Sequence, residues 1–242
     1  TEIYTLSLHD ALPIYLERAR AQHRIYTQCL QEAGYALIEL AEQADLPDAV
    51  FVEDTAIVLD ELAIITRPGA ISRRPELPSV AQALLAFRTP KSLLAPATLD
   101  GGDVLVMGRT LFVGLSLRTN EEGTRQLADQ VRPFGYKVVP VPIHGCLHLK
   151  SAVSRIAPDL VLVNPDWLDV ACFKDYNSIA VASDEPHAAN ALPLEDTILF
   201  PDAFPRTAES LLRHGLPLRL LDMSELAKAE GAVTCCSIIF RR

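Results

Sequence analysis

Three kinds of side chain in this sequence are suited to chemistry, and each interrupts an apolar run. Two cysteines, Cys235 and Cys236, stand side by side in "AVTCCSIIF". A histidine, His148, lies between leucines in "GCLHLKSAV". Paired acids occur in "VFVEDTAIV" (Glu53 and Asp54) and in "TLDGGDVL" (Asp100 and Asp103). A thiol, an imidazole and carboxylates gathered in one cavity are the parts of covalent acyl-type or amidine-type transfer. The surplus of carboxylates favours a cationic electrophile. A guanidinium fits well, being planar, always charged and matched bidentately by carboxylates.

Each feature also has a plainer reading. Glu53 and Asp54 could mark a bent strand end in solvent, because a buried carboxylate must be neutralised or paired. "LDGGDV" reads most simply as a turn, although its glycines would also let the backbone approach a ligand. A histidine among leucines is commonly a satisfied core residue. Adjacent residues on a strand point to opposite faces, so one thiol of the pair can face a cavity while the other packs as a small hydrophobe. A redox or zinc-storing use of the pair is the alternative. "HGCLH" spaces His144, Cys146 and His148 two apart, but Gly145 disfavours a regular strand and no CxxC or HExxH accompanies them. No metal and no cofactor are expected.

The chain has 242 residues, about half of them apolar (49%), and a formal charge of −9. It can build a sizeable core, and its charge argues against nucleic acid or an anionic membrane as partner. No apolar run reaches the roughly 20 residues of a membrane span, and no secretory signal is recognisable. Five scattered cysteines do not make a disulfide framework, which suits a reducing cytoplasm.

The first fourteen residues, "TEIYTLSLHDALPI", fit neither a helix nor a strand and resemble translated sequencing adapter. They are expected to be non-native, with no chemistry assigned to His9 or Asp10, leaving residues 15–242 as a single catalytic domain. There the pattern predicts a helix ending near Gly34, a strand at "ALIEL", and two short strands around Asp60 and Glu61 followed by a loop and a helix. The same order returns in "DVLVMGRTLFVGLSLRTNEEGTRQLADQV", with a capping box at Thr119 and Glu122. Weaker copies follow at "LVLVNPDWLD" and "TILFPDAFPRTAESLLRHG". The strand ends Ile65, Val113, Val163 and Phe200 recur at a spacing that suggests repeated units. A last strand is expected at "VTCCSIIF". No GxGxxG or P-loop is present.

In that order, "LPDAVFVEDTAIV", "ITRPGAISRR", "TLDGGDVLVMGRTLFVGLSLRTN", "GCLHLKSAV" and "TCCSIIF" resemble the dimethylarginine dimethylaminohydrolase family, a relative of arginine deiminase and the amidinotransferases. The resemblance runs from about Leu16 to the C-terminus. It implies an α/β fold, the five-bladed α/β propeller (pentein), whose first blade would be incomplete here because the family's opening strand and mobile loop are missing. It implies Cys235 as nucleophile, His148 as general acid and base, and Asp100 as the carboxylate orienting it. Glu53 and Asp54 would meet the substrate guanidinium, Asp48 the α-amino end, and Arg73 and Arg118 the α-carboxylate. The implied reaction hydrolyses N-methylated arginine to citrulline and a methylamine through a thiouronium on sulfur. Action on unmethylated arginine, or a non-catalytic binding scaffold, are the alternatives. The partner would be a small cationic amino acid, with no nucleic acid and no membrane. Association as a homodimer is left open.

Overall fold

The computed structural model describes residues 13–241. Most of the opening segment set aside above, including His9 and Asp10, therefore lies outside the described residues. Helix α1 (Leu16–Glu32) buries Ala19, Gln22, Tyr26, Cys29 and Leu30, a stripe of three- and four-residue steps. It ends at Gly34, whose φ of +86° reverses the chain at little steric cost.

Four repeated units follow. The first holds β1 (Ala56–Val58), β2 (Ala63–Ile65), α2 (Leu77–Leu84) and β3 (Pro90–Ser92). The second holds β4 (Val104–Met107), β5 (Thr110–Leu115), α3 (Glu121–Val131) and β6 (Lys137–Pro142). A single helical turn, α4 (Leu149–Ala152), leads into the third, built from β7 (Val153–Ala157), β8 (Leu160–Val163) and β9 (Asn177–Ala180). The fourth has β10 (Leu192–Pro193), β11 (Ile198–Pro201), α5 (Pro205–Arg213) and β12 (Leu218–Leu221), and a short α6 (Ser224–Ala227) follows. Each unit is a three-stranded sheet whose middle strand pairs antiparallel with the strand before it and parallel with the strand after it. Parallel pairing requires a crossover, which the helices supply in three units and a 3₁₀ turn (Val170–Phe173) in the third. Ile65, Val113, Val163 and Phe200 all fall on middle strands, so the spacing read from the sequence is a structural repeat.

Packing runs from unit to unit and returns to its start. Ile64 and Leu93 of the first sheet's unit pack with Val104 and Val113 of the second. Leu105 and Val141 join Val153 and Val163, and Leu162 and Ile179 join Ile198 and Phe200. Leu199 and Leu221 then pack against Tyr26 of α1, Phe51 and Cys236. The final link is the C-terminal segment, whose Ile238 and Phe240 lean on Ala56 and Ile65 while Ile239 turns to the α1 side.

Three local expectations are corrected. Residues 36–40 form no ladder among the described residues. Tyr35 and Leu37 pack inward while Ile38 and Leu40 are exposed, so the alternation is strand-like but the main chain has no strand partner. Around Cys235 the chain is a turn at residues 233–236, because the Cys235 N–H bonds back to Ala232 and the Ser237 N–H to Thr234. The cap of α3 is Asn120, which accepts from the Gly123 N–H at 2.8 Å, while Thr119 is spent on buried carboxylate chemistry described below.

Asn120 also accepts from the Thr98 N–H and donates to the Pro96 carbonyl. Asn120→Ala should therefore lower the unfolding free energy by about 1–2 kcal/mol in urea titrations. A change within error would mean that the cap contributes nothing.

Candidate active site

Three of the chemistry-bearing segments share one position in the repeat, the approach to a unit's first strand. Glu53 and Asp54 lie in a 3₁₀ turn (Val52–Thr55) that runs into β1, and Asp103 closes a 3₁₀ turn (Gly101–Asp103) that runs into β4. His148 is the N-cap of α4, which runs into β7. The units converge on these ends, so residues distant in sequence meet.

The two glycines of "DGGD" make the meeting possible. A Cβ on Gly101 would stand 2.0 Å from the Glu53 carbonyl oxygen, and one on Gly102 would stand 2.6 Å from Asp54 Oδ1 and 2.8 Å from His148 Nδ1. The segment is thus a turn and a close approach at once, which resolves the two readings of its sequence. Asp54, 5% exposed, pairs with Arg73 through Oδ2 and accepts from the Gly102 N–H through Oδ1 at 2.9 Å. His148 sits between carboxylates, with Nε2 3.0 Å from Asp100 Oδ2 and Nδ1 3.8 Å from Asp54 Oδ1. Burial pushes the imidazole pKa down, but Asp54, the Asp100 hydrogen bond and Asp103 outweigh it and hold His148 at about 9. For Asp54 burial pushes up, yet His148, Arg73 and the Gly102 N–H bring it below the usual carboxylate range.

Cys235 is half-buried and is joined to the acids by its main chain, since its carbonyl accepts from the Glu53 N–H at 3.1 Å. Its sulfur accepts from the Ala232 N–H at 3.4 Å. Burial, then the charges of Glu53 and Asp54, push its thiol well above the usual range. Cys236 is buried in the cluster with Tyr26 and Phe51, and both thiols are free. Glu53 accepts from Lys150 Nζ at 2.6 Å and from Thr234 Oγ1 at 2.8 Å.

The other expected residues are placed unequally. Arg118 is the arginine with spare donors, partly exposed, with NH1 3.7 Å from Asp100 Oδ2. Arg73 is buried, and its fork is already filled by Glu76, Asp54 and the carbonyls of Asp48 and Phe51. It holds Asp54 and the preceding loop and offers no free fork in this conformation. Asp48 reaches this cluster through its carbonyl. Sequence reasoning gave no role to Lys150 or Thr234, and it read Asp103 as pointing into a ligand beside Asp100. Asp103, fully buried, accepts from the Leu149 N–H at 2.9 Å and from Ser116 and Thr119 hydroxyls at 2.6 Å each, so it anchors both the helical turn of His148 and the loop of Arg118. The signal for it was a second aspartate directly after the two glycines, although spacing alone could not say which aspartate would face a ligand.

Among the described residues Asp54, Asp100 and His148 bring ligand-type atoms within 4.8 Å of one another. The acids around it favour the protonated imidazole, so a cation at this place would have to displace a proton from His148. The "HGCLH" spacing does not form a cluster of its own, because Cys146 Sγ donates to the His148 carbonyl instead.

A family model described as "N,N dimethylarginine dimethylhydrolase, eukaryotic" matches residues 5–184. The chain belongs to the dimethylarginine dimethylaminohydrolase family. Its relatives include the N(G),N(G)-dimethylarginine dimethylaminohydrolases of Pseudomonas aeruginosa, 33% identical over 97% of this chain and 92% of that protein, and of Streptomyces coelicolor, 36% identical over 97% and 93%. A solved structure of a cysteine-to-serine variant of the Pseudomonas aeruginosa enzyme, complexed with citrulline, matches with a TM-score of 0.86 and 31% identity over 92% of this chain and 88% of that one. The α/β fold is that of this family.

Charge on His148 links the site to stability. Its pKa is raised from 6.5 to about 9, so its contribution is complete below 6.5 and is lost as pH rises through about 9. Urea titrations of the parent and of His148→Asn should therefore diverge at about pH 6 and converge by about pH 10, by an amount on the order of 3 kcal/mol. A gap that does not vary with pH would show that the imidazole is not held in its charged form.

Proposed function

We propose that this chain hydrolyses N-methylated arginine, asymmetric dimethylarginine or monomethylarginine, to citrulline and the corresponding methylamine through a thiouronium on Cys235. The observation that carries this reading is a half-buried thiol whose ionisation is opposed by the half-buried Glu53 and the buried Asp54, with an imidazole beside Asp54. Each oxygen of Glu53 has one protein donor, which leaves lone pairs for the N–H edge of a planar cation. The family membership and the citrulline complex of a relative support the same substrate class.

The chemistry follows from the charges. Glu53 and Asp54 disfavour the thiolate, and a bound guanidinium offsets them, so Cys235 gives its proton to solvent when substrate is present. Sulfur attacks the guanidinium carbon. The bond from carbon to the methylated nitrogen breaks with its electron pair on nitrogen, and His148, charged beforehand, gives that nitrogen its proton. The neutral imidazole then takes a proton from water as the water oxygen bonds to the same carbon. The carbon–sulfur bond breaks with its pair returning to sulfur, the hydroxyl proton left on carbon passes to that sulfur by way of solvent and restores the thiol, and citrulline leaves with its carbonyl formed. Asp100 keeps the ring in place and stabilises its charged form. In our reading Arg118 takes the α-carboxylate, with Arg73 behind Asp54, and Asp48 lies toward the α-amino end.

The finer architecture belongs to the same proposal: a five-bladed propeller whose fifth blade is made of α1, the extended segment after it and the C-terminal residues. The closed circuit of packing and the strand-like alternation of residues 35–38 support it. A cytoplasmic setting accords with five free thiols, and no described helix is long and apolar enough to cross a membrane. Association as a homodimer is the remaining element of this reading.

Incubation with asymmetric dimethylarginine should release citrulline from the parent and none from Cys235→Ser. Citrulline formed equally by both would remove Cys235 as nucleophile. Thiol titration followed by ultraviolet absorbance should show the Cys235 pKa falling when an unreactive arginine analogue is bound. An unchanged value would mean that substrate charge does not activate the thiol.

A further inference from the structure

We infer that Asn190 is a positioning residue for this reaction, an inference that rests on the reading of the chain as a cysteine-dependent methylarginine hydrolase. Asn190 holds in the fourth unit the place that Asp54 holds in the first, two residues before the first strand, since β10 starts at Leu192 and β1 at Ala56. It is 3% exposed and stands among the buried alanines Ala188, Ala189 and Ala191. A lone polar side chain in such a run must find partners or destabilise the fold.

Its partners allow one arrangement of the amide. Oδ1 accepts from the Thr234 main-chain N–H at 3.1 Å, and Nδ2 donates to the Lys150 carbonyl at 2.9 Å and to Thr234 Oγ1 at 3.0 Å. A main-chain N–H only donates and a carbonyl only accepts, so the two ends of the amide cannot be exchanged. Thr234 Oγ1, having accepted from Asn190, gives its own proton to Glu53. The backbone on either side is also pinned. Ser154 Oγ on β7 donates to the Ala189 carbonyl at 2.6 Å and accepts from the Ala191 N–H at 3.0 Å.

Thr234 immediately precedes Cys235, and Lys150 lies in the helical turn capped by His148. Asn190 therefore ties the turn of the nucleophile to the turn of the acid and base through one rigid planar group. Lys150, Glu53, Thr234 and Asn190 form a closed hydrogen-bonded ring, in which Glu53 faces the substrate cation and Asn190 lies on the opposite arm. When substrate binds and leaves, the charge around Glu53 changes while the neutral arm does not. That arm keeps the sulfur and the imidazole at a constant separation through both chemical steps.

The test compares Asn190→Ala with Asn164→Ala. Asn164 is a buried asparagine that bonds the Pro186 carbonyl and the Asp166 N–H and touches neither turn with its side chain. Each is assayed with asymmetric dimethylarginine at a temperature where circular dichroism shows it folded. Asn190→Ala should lose roughly ten- to a hundredfold in kcat with KM nearly unchanged, as expected for a small misplacement of reacting groups. Asn164→Ala should lose thermal stability and keep kcat. The combination of Asn190→Ala with Thr234→Val should be non-additive in kcat, because both changes break the same arm. The inference is overturned if Asn190→Ala keeps its kcat, if KM alone rises, or if Asn164→Ala loses as much. Should Asn190→Ala not fold, Asn190→Asp reads the same split, because it keeps size but sets a second acceptor against the Lys150 carbonyl. A parent that forms no citrulline defeats the functional reading alone. The alkylation rate of Cys235 by iodoacetamide, located by peptide mass, then decides for Asn190. Faster alkylation in Asn190→Ala than in the parent and Asn164→Ala supports its hold on the turn, and equal rates overturn it.

Discussion

Asp54 is the group on which the rest of this structure depends. A carboxylate buried to this degree costs several kcal/mol unless it is met by charge and hydrogen bonds. Its partners come from three separate segments: Arg73 from the turn before α2, the Gly102 N–H from the approach to β4, and His148 from the cap of α4. None of them is near it in sequence. The site therefore assembles only when the units pack, and the packing of the units is in turn bound to keeping Asp54 satisfied. The glycines at 101 and 102 serve the same end, because side chains there would hold the segments apart.

The same charges divide the labour between the two reactive groups. The acids that raise His148 to about 9 keep it protonated, as the proposed supply of a proton to a leaving amine requires. The acids that raise Cys235 keep it a thiol. In the proposed reaction the site before substrate binds is thus an acid beside a dormant nucleophile. On that proposal, a cationic substrate offsets the acids at the sulfur. Activation by the substrate's own charge is a simple form of selectivity, since a neutral amide would meet a thiol and not a thiolate.

The repeat was legible because each middle strand is a short, fully apolar run followed by turn and helix signals, as in "AIIT" and "TLFVGL". The helix α1 was legible from its periodicity. What misled was alternation without a partner. "ALIEL" and "SIIF" have the pattern of strands and even point their side chains as strands do, yet they lie in no ladder among the described residues. A hydrogen-bonded strand needs a neighbour at the right distance, and composition does not report neighbours. Thr119 misled in another way. Its spacing from Glu122 suited a cap, but a buried carboxylate at Asp103 competes more strongly for its hydroxyl.

By itself, then, the sequence determined the residue types of the site, their order along the chain and the α/β repeat that carries them, because those are local matters of pattern and chemistry. It also carried enough co-ordered motifs to identify the family. The tertiary structure alone decided which arginine has a free fork, which aspartate faces the imidazole and which anchors a loop, and that Lys150, Thr234 and Asn190 join the site. Those outcomes depend on donors and acceptors brought together from distant segments. A buried polar group takes whichever partner the packing delivers, and no local pattern can name that partner in advance.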